Sequence, residues 1–567
     1  MNTIRQAQTG EPTGKGRSLE ATERQSTGAK DTEALGEDAS VVGGSGSGKD
    51  DTVNAGDLRG VDLWAMPEEP AGVRVAIVAQ ASQEPTGNSP VPGTKPGNAG
   101  GAKGDRKAKA SSEGLGEANP SEVPARDRQE GEVPWQTRYG AERGVWSEKM
   151  LAALETGVKG KKWFSLIDKV ARLDVLQLAW AKVKSNAGAC GVDGITVERF
   201  DKDSHKRLLA VKEHLTKGTY QPQPTKRVWI RKPGSAEKRP LGIPTVRDRV
   251  VEGSLKMVIE PIFEKEFAEH SYGFRPGRSC HDALRRVDEL LQSGHLHVVD
   301  IDIKGYFDAI PHQRLMELVE EHIADRRVLS LIEALLKRGI LEEMKSWESE
   351  EGTPQGGVIS PLLANIFLNP LDWLLAGAGM EMVRYADDIV VLCRHPQQAE
   401  QALERVRSWM EGVGLTLHPQ KTRVVTMEEG GNYFDFLGYR FWCGKKSSKL
   451  SRYIRDKSKR NLRERLKPHT RRTSGKCMAA IIAKINQSFR GWYEYFRHAK
   501  AAALEDVDRW IRGRLRSILR KRRGGKGRGR GADHHRWPNC YFAELGIFSL
   551  VAAQAEEIAS LRRGATC

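Results

Sequence analysis

The sequence has few cysteines, no paired-cysteine motif and no long hydrophobic run. Its 7 cysteines are scattered through 567 residues without a CxxC spacing, which argues against a zinc ribbon and against the disulfide framework of a small secreted domain. No stretch of 18 apolar residues occurs, so a transmembrane helix is not expected. The N-terminus lacks a basic-then-apolar signal sequence. We therefore expect a protein of the reducing cytoplasm with no membrane partner.

Aromatic residues are scarce at the beginning of the chain. Residues 1–130 are rich in Gly, Ser, Pro, Thr and charged residues. A segment of this composition buries too little apolar surface to offset the conformational entropy that folding removes. We expect the range 1–130 to be a disordered, low-complexity extension, and the sequence indicates no role for it.

Positive charge is unevenly distributed along the chain. The whole sequence has 91 Lys and Arg against 74 Asp and Glu, whereas residues 451–530 hold 26 against 6. A block this basic repels itself without a polyanionic partner, and it can bind phosphates through counterion release. The charge pattern therefore predicts a region near the C-terminus that binds nucleic acid.

The hydrophobic periodicity changes along the chain. Between about 135 and 445, strand-like apolar runs are mixed with helix-like segments around an antiparallel hairpin, which indicates an α+β fold. Beyond about 450, apolar residues recur every three or four positions, as they do in amphipathic helices. We expect a separate α-helical region there.

Two adjacent carboxylates, Asp387 and Asp388, lie at the tip of the predicted hairpin between apolar runs rich in β-branched residues. A third carboxylate, Asp302, lies on the apolar strand predicted at 297–303. Asp300 points to the same face of that strand, and we do not assign it to a metal. Because neighbouring carboxylates repel each other, a divalent cation is the usual remedy. Three carboxylates can hold two Mg²⁺ ions, which suit in-line phosphoryl transfer.

Short motifs around these acids resemble the conserved blocks of reverse transcriptases. They are KRPLGIP at 238–244, SYGFRPGRS at 271–279, DIKGYFD at 302–308, GTPQGGVISP at 352–361, YADD at 385–388, HPQKT at 418–422 and FLGY at 436–439. Over about 135–550 the sequence is similar to bacterial group II intron reverse transcriptase/maturases, because the SYGFRPGRS block and the basic helical region are typical of that family. The resemblance implies an α+β right-hand polymerase, with fingers and palm around an antiparallel catalytic sheet.

The same resemblance implies a division of the chain. The fingers and the start of the palm would occupy 131–300, the palm 301–445, and an α-helical thumb/maturase region, called domain X, 446–567. This last region would carry a basic RNA-binding surface.

The resemblance also assigns a metal site. Asp302, Asp387 and Asp388 would be the catalytic residues. Asp302 and Asp387 would be the main ligands of two Mg²⁺ ions, with Asp388 assisting. The Ile303 carbonyl would complete the coordination shell next to the nucleotide, and Mn²⁺ is an expected substitute.

Further residues are implied to bind the incoming nucleotide. Lys232 and Arg239 would bind its triphosphate, and Arg offers a fork that suits phosphate oxygens. Phe307 would lie under the sugar and exclude a 2′-hydroxyl, unless it is an ordinary core aromatic. Gln355 would contact the nucleotide or the template. Lys421 would donate a proton to the departing pyrophosphate.

The basic region would bind intron RNA. The candidate cations are Arg455, Lys457, Lys459, Arg460, Arg463, Arg490 and Arg497. Aromatic residues at 489–496 are interleaved with the last two of these arginines. They would either stack on unpaired bases or form the core of a helix.

The implied function is RNA-directed DNA polymerisation with an RNA template, a DNA primer and dNTPs, combined with help in group II intron splicing and mobility. After 530 the histidines and cysteines lack the paired spacing of a metal-dependent endonuclease, so we expect the type without that domain, which meets target DNA without cutting it. Two alternatives stay open: an RNA-binding maturase without polymerase activity, and a host-adopted reverse transcriptase with no intron partner. The sequence does not indicate an oligomeric state.

Overall fold

The computed structural model describes residues 140–142, 144–231, 238–342, 345–347, 351–353, 356–428, 430–444 and 450–564. The extension predicted over 1–130 therefore lies outside the described residues. The helices are α1 Glu148–Thr156, α2 Ile167–Val170, α3 Leu173–Asn186, α4 Val197–Lys202, α5 Ser204–Lys217, α6 Val246–Glu264, α7 Cys280–Gln292, α8 His312–Glu320, α9 Arg326–Lys337, α10 Ser360–Gly377, α11 Pro396–Gly412, α12 Asp456–Leu466, α13 Met478–Phe496, α14 Ala501–Arg522, α15 Ala532–Arg536, α16 Asn539–Glu544 and α17 Leu550–Gly564. The strands are β1 Thr225–Arg231, β2 Lys238–Ile243, β3 His297–Asp302, β4 Ile340–Glu342, β5 Lys345–Trp347, β6 Glu381–Tyr385, β7 Asp388–Cys393, β8 Arg423–Thr426, β9 Tyr433–Phe436, β10 Tyr439–Cys443 and β11 Leu450–Ile454.

An antiparallel sheet with the strand order β6-β7-β3-β8 carries the predicted acidic residues. β6 and β7 form the predicted hairpin, in which Tyr385 is opposite Asp388. Ala386 in the turn has a left-handed backbone with φ of 59°. β3 runs antiparallel to β7, and its last residue, Asp302, pairs with Asp388. The hairpin turn and the acidic strand therefore reach the same end of the sheet.

This sheet separates two hydrophobic cores. Val299 and Ile301 of β3 belong to one core, which they share with helices α1 to α6 and α8 to α11. Val298 belongs to the other core, with α7 and the C-terminal helices. Because successive residues of a strand point to opposite faces, Asp302 lies on the face of Val298, and its partner Asp388 shares that face. The acids thus face the side on which the C-terminal region packs.

Two further sheets have the strand orders β2-β1-β4-β5 and β11-β10-β9. β11 lies within 446–567, the range predicted to be α-helical, and pairs along its length with β10. The helices of that region therefore begin only at α12. β3 also crosses the boundary predicted between 300 and 301, so the ranges 131–300 and 301–445 share one strand.

Helix α6 contains a proline near its C-terminal end. Pro261 lacks an amide hydrogen, so the carbonyl of Met257 loses its normal helical donor. The indole of Trp146 donates to that carbonyl at 3.2 Å, which explains how α6 continues to Glu264. Within the described part of the chain, no helix has the length and apolar character needed to cross a membrane.

Candidate active site

Three aspartates come together where β3 ends and β7 begins. Asp302 and Asp388 are direct partners in the β3–β7 register, so their Cβ atoms are about 4.5–5.5 Å apart. Asp387 immediately precedes Asp388 in the hairpin turn. Asp387 and Asp388 are exposed, and the side chain of Asp302 is 35% exposed. The predicted acidic residues therefore form one cluster that solvent can reach.

Burial and mutual repulsion raise the pKa values of Asp387, Asp388 and the neighbouring Asp300. Burial, followed by the charges of Asp387, Asp300 and Asp302, raises the pKa of Asp388 to about 7. Burial, together with the charge of Asp302, also raises the pKa of Asp387. The pKa of Asp300 is raised by burial to about 6, although Arg423 pairs with it at 3.4 Å. Although Asp387 and Asp388 reach solvent, the surrounding protein limits their hydration. At neutral pH the cluster is short of positive charge.

Lys421 supplies a positive charge to Asp302. Its ammonium lies 3.0 and 3.2 Å from the two carboxylate oxygens of Asp302. Lys421 lies two residues before Arg423 of β8, and Arg423 pairs with Asp300 of β3. Because the two strands are antiparallel, this register places Lys421 alongside Asp302. Among the residues that the structure describes, no three acidic, histidine or cysteine side chains are already arranged to hold a metal ion. A cation that binds Asp302 would compete with Lys421 for its carboxylate oxygens.

The donor set of the cluster suits a hard divalent ion. Carboxylate oxygens are the ligands that Mg²⁺ and Mn²⁺ prefer. Two of the carboxyl groups, those of Asp387 and Asp388, have raised pKa values because of burial and like charge. A bound dication would relieve the repulsion that contributes to these shifts.

The backbone at Ile303 is oriented towards the same cluster. Ile303 forms an isolated antiparallel bridge with Leu417, and the two hydrogen bonds of this bridge are made by the flanking residues Asp302 and Lys304. In such a pair the N–H and C=O of the central residue point away from the partner chain. The Ile303 carbonyl therefore points to the side of β3 on which β7 and the hairpin lie.

A buried arginine, for which the motifs indicated no role, supports the hairpin. Nε of Arg384 donates to Asp372 of α10 at 2.8 Å, and Nη1 donates to the Asn365 side chain at 2.8 Å and to the Ala386 carbonyl at 3.1 Å. The side chains of Arg384 and Asp372 are both 0% exposed. Arg384 therefore fixes the turn that carries Asp387. A charged residue within an apolar strand was the signal that could have found it.

A second buried ion pair supports the segment that comes after Gln355. Arg338 pairs with Glu252 of α6, and both side chains are almost completely buried. The other carboxylate oxygen of Glu252 accepts hydrogen bonds from the amides of Val358 and, at 3.3 Å, Ile359. These contacts fix the chain just before α10. No sequence pattern indicated this pair, because its two members are far apart in the chain.

The predicted nucleotide-binding residues are described only in part. Phe307 is half-buried against the first core, and its carbonyl accepts a hydrogen bond from the Thr353 amide at 2.7 Å. Lys232 and Gln355 lie outside the described residues. Arg239 is in β2, and only its backbone is described.

The chain on either side of Gln355 makes two close contacts. At Thr353 it lies against Phe307. At Gly356, which has φ of 118°, a Cβ atom would lie 2.2 Å from the carbonyl oxygen of Gly242 in β2. Only glycine permits this approach. Position 355 is therefore flanked in the sequence by Thr353, which contacts Phe307, and by Gly356, which contacts β2.

Several predicted RNA-binding cations are paired with acids of the same chain. Nε of Arg455 lies 3.0 Å from Asp435, and Arg463 lies 2.9 Å from Asp506. Lys459 is 3.9 Å from Asp506 and only 20% exposed at its side chain. These pairs leave less uncompensated charge on the surface than the composition suggests.

The other candidate cations differ in exposure. Lys457 and Arg460 are exposed on α12, and Arg490 is exposed on α13. Arg497, by contrast, is 13% exposed and lies 3.3 Å from Glu557 of α17. The structure therefore separates exposed candidates from one that is neutralised within the chain.

The aromatic residues at 489–496 pack into a core. Phe489, Tyr493 and Phe496 are buried in the second hydrophobic core. Trp492 is half-buried, with its ring 4.7 Å from that of Phe496. Of the two interpretations of this segment, the structure favours packing within the protein.

The acidic hairpin, the antiparallel sheet that adds a third aspartate, and the basic helical region after it define the class of reverse transcriptases. The sequence model described as reverse transcriptase (RNA-dependent DNA polymerase) matches residues 230–441. The model of the group II intron, maturase-specific domain matches residues 459–537.

Curated relatives agree with these matches. The chain is 41% identical over 201 residues to the group II intron-encoded protein LtrA of Lactococcus lactis, covering 35% of this chain and 33% of that protein. It is 35% identical over 289 residues to the protein YkfC of Escherichia coli, covering 44% of this chain and 75% of YkfC. It is 25% identical over 412 residues to the putative COX1/OXI3 intron 1 protein of Saccharomyces cerevisiae, covering 63% of this chain and 48% of that protein.

The chain belongs to the family of group II intron-encoded reverse transcriptase/maturases. This confirms the predicted family and the predicted α+β polymerase fold with a helical C-terminal region. A reverse transcriptase domain implies dependence on divalent metal ions. The match to LtrA spans a third of the length of that relative.

Proposed function

We propose that the protein is an RNA-directed DNA polymerase that extends a DNA primer on an RNA template with dNTPs and uses two Mg²⁺ ions. The observation that carries the proposal is the β3–β7 register, which pairs Asp302 with Asp388 beside Asp387 in the turn. Three carboxylates at this spacing suit a pair of hard cations. Mn²⁺ is expected to substitute, because it takes the same oxygen ligands.

In this proposal Asp302 and Asp387 are the main metal ligands, and Asp388 and the Ile303 carbonyl complete the set. When bound, the ions activate the primer 3′-hydroxyl and stabilise the negative charge on the leaving pyrophosphate. Asp388 must first lose its proton, which its pKa of about 7 allows at and above neutral pH. Asp302 would hold an ion with the carboxylate oxygens that now accept hydrogen bonds from Lys421.

The nucleotide would be held on the side of Lys421. In this proposal Lys421, which lies beside Asp302, would pair with the triphosphate and donate a proton to pyrophosphate. Lys232 and Arg239 would bind the other phosphate oxygens, Gln355 would contact the nucleotide or the template, and Phe307 would limit the space beneath the sugar.

We further propose that the C-terminal helices bind the group II intron RNA and assist its splicing and mobility, with target DNA as the site of insertion. The match of the maturase-specific domain to residues 459–537 supports this part. The exposed cations Lys457, Arg460 and Arg490 are its best candidate contacts. We infer that the protein acts as a ribonucleoprotein in a bacterial cytoplasm, and its similarity to proteins of Lactococcus lactis and Escherichia coli supports a bacterial setting.

Primer extension on an RNA template with Mg²⁺ tests the polymerase. Asp387→Asn removes one metal-binding charge, so we expect extension to fall by about 10³-fold or more, since metal stabilisation of the transition state supplies several kcal/mol. Asp168→Asn is the matched control, because Asp168 is an exposed aspartate on α2. Extension by Asp387→Asn at the parent rate, or no extension by the parent, would refute the proposal. Binding of intron RNA should be the same in both variants.

A further inference from the structure

The loop from 270 to 279 contains the SYGFRPGRS motif and lies directly against the acidic hairpin. The Tyr272 amide donates to the Arg384 carbonyl at 2.8 Å, and the Arg384 amide donates to the His270 carbonyl at 3.0 Å. The loop thereby extends the sheet beyond β6. A Cβ atom at Gly273 would lie 2.2 Å from the backbone nitrogen of Ala386, so only glycine allows the loop to approach the turn this closely.

Buried hydrogen bonds hold this loop in place. The guanidinium of Arg275 is buried, donates to both carboxylate oxygens of Glu264 on α6 at 3.0 Å, and donates to the Ala268 carbonyl at 2.6 Å. The Asn365 side chain donates to the Gly273 carbonyl at 2.7 Å. Because both residues that flank position 274 are fixed, the backbone of Phe274 is restrained.

Phe274 is unusual in both backbone and exposure. Its φ is 59°, in the left-handed region that side chains with a Cβ rarely adopt. Phe274 is nevertheless 49% exposed, so about half of its surface is open to solvent. Its ring lies 6.3 Å from that of Tyr385, the residue opposite Asp388 in the hairpin. Strained backbone of this kind persists where the surroundings impose it, and it is concentrated at sites that contact ligands.

Phe274 and Lys421 lie on opposite sides of the aspartates. Across the sheet the order is the loop of Phe274, then β6, β7, β3 and finally the β8 side with Lys421. In an in-line displacement the attacking 3′-hydroxyl and the leaving pyrophosphate lie on opposite sides of the phosphorus. If the pyrophosphate leaves towards Lys421, the primer terminus must approach from the side of Phe274.

We propose that Phe274 contacts the 3′-terminal nucleotide of the primer and positions it for attack. This inference rests on the polymerase function proposed above. The exposed ring offers an apolar face to a sugar and base edge without hydrogen-bond readout, so the contact tolerates any primer sequence. Phe274 is a positioning residue and takes no part in proton transfer or metal binding.

The test compares Phe274→Ala with the parent in two measurements on the full chain. The first is the Kd for a DNA primer–RNA template duplex, measured by fluorescence anisotropy without dNTP, next to the Kd for the same template strand alone. The second is steady-state primer extension, in which the KM for primer–template and the KM for dNTP are determined separately. Phe274→Tyr keeps the ring and serves as the conservative variant. Phe164→Ala is the matched control, because Phe164 is an exposed phenylalanine, 63% accessible, that precedes α2.

Loss of one aromatic contact to a nucleotide weakens binding by roughly tenfold. We expect Phe274→Ala to raise the Kd and the KM for primer–template by about that factor. The KM for dNTP, the Kd for the single template strand and the melting temperature should be unchanged, and Phe274→Tyr and Phe164→Ala should behave as the parent.

Equal primer–template affinity for Phe274→Ala and the parent would overturn the inference, as would an equal loss in Phe164→Ala or a loss confined to the KM for dNTP. Phe274→Gly guards against a folding defect, because glycine accepts the left-handed φ without strain. It should be at least as stable as the parent and show the same weakened duplex binding. If the parent binds the duplex but does not extend it, the polymerase proposal fails, while the Kd comparison still decides the role of Phe274.

Discussion

The acidic hairpin and the basic C-terminal region carry charges of opposite sign, and they balance those charges in different ways. At the hairpin, Asp387 and Asp388 lie together and repel each other, and the pKa of Asp388 is raised to about 7 by burial and by its acidic neighbours. In the basic region many cations have an acid within the chain, as Arg463 has Asp506 at 2.9 Å.

This difference determines how each region can be interpreted. At the hairpin the uncompensated charge itself marks the site, because a fold keeps neighbouring acids together at a cost unless a cation binds there. In the basic region the net charge indicates which part of the chain binds RNA, but it does not identify the individual residues that make the contacts. Exposed cations such as Arg460 are candidates for RNA contact, whereas Arg497 is neutralised by Glu557.

The largest expected effect on stability comes from the buried pair beneath the hairpin. Arg384→Met leaves Asp372 buried without its partner, so we expect the free energy of unfolding to fall by about 3–5 kcal/mol. Arg463→Met removes a partly exposed pair to Asp506 in the basic region and should cost at most about 1 kcal/mol. Urea unfolding of the two variants measures the contrast.

A double variant shows whether the loss arises from the unpaired charge. Arg384→Met combined with Asp372→Leu removes both buried charges, and apolar replacement of a buried pair is often close to neutral. We therefore expect the double variant to recover much of the stability. If it is no more stable than Arg384→Met alone, the hydrogen bonds of Arg384 to Asn365 and to the Ala386 carbonyl explain the loss instead.

The two regions also differ in what could be predicted from the sequence. The hairpin and the strand of Asp302 were predictable, because short-range alternation and adjacent motifs specify them. The partners of Arg384 and Arg463 were not, because a sequence gives the type of a residue without the residue that tertiary packing brings to it. β11 was missed because polar and charged residues, Ser451 and Arg452, occupy a half-buried strand that gains its pairing from β10.

The acidic cluster should also make stability depend on pH. The pKa of Asp388 is about 7 in the folded chain and about 3.9 when unfolded, so the folded state binds more protons between these values. Stability therefore falls as the pH rises through this window. Asp388→Asn cannot ionise, and without metal it should melt above the parent at pH 8 by roughly 2 °C, or about 1 kcal/mol once solvent screening is allowed for.

Thermal melts in EDTA at pH 5 and pH 8 measure this effect. The advantage of Asp388→Asn should shrink at pH 5, where the parent is largely protonated. With Mg²⁺ at pH 8 it should shrink or reverse, because the parent then has a cation to offset its charge. If the melting temperature of Asp388→Asn exceeds that of the parent by the same amount at all pH values, repulsion at the ionised Asp388 carboxylate is not the cause of the difference.

The smallest expected effect tests the basic region and asks whether exposure, rather than charge, selects the RNA contacts. Each phosphate contact contributes a slope of about 0.7–0.9 to the dependence of log affinity on log salt concentration. Arg460→Gln should reduce the slope for intron RNA by about that amount. One phosphate contact makes the affinity fall by an additional factor of about three between about 50 and 200 mM salt, and the variant should lack this additional fall. Arg497→Gln changes the charge equally but breaks a pair to Glu557, so the slope should stay as in the parent even if stability falls. Filter binding across a salt series distinguishes the two variants. Equal changes in slope would show that the basic region binds RNA through its net charge. The basic region and the acidic hairpin would then differ only in the sign of their charge.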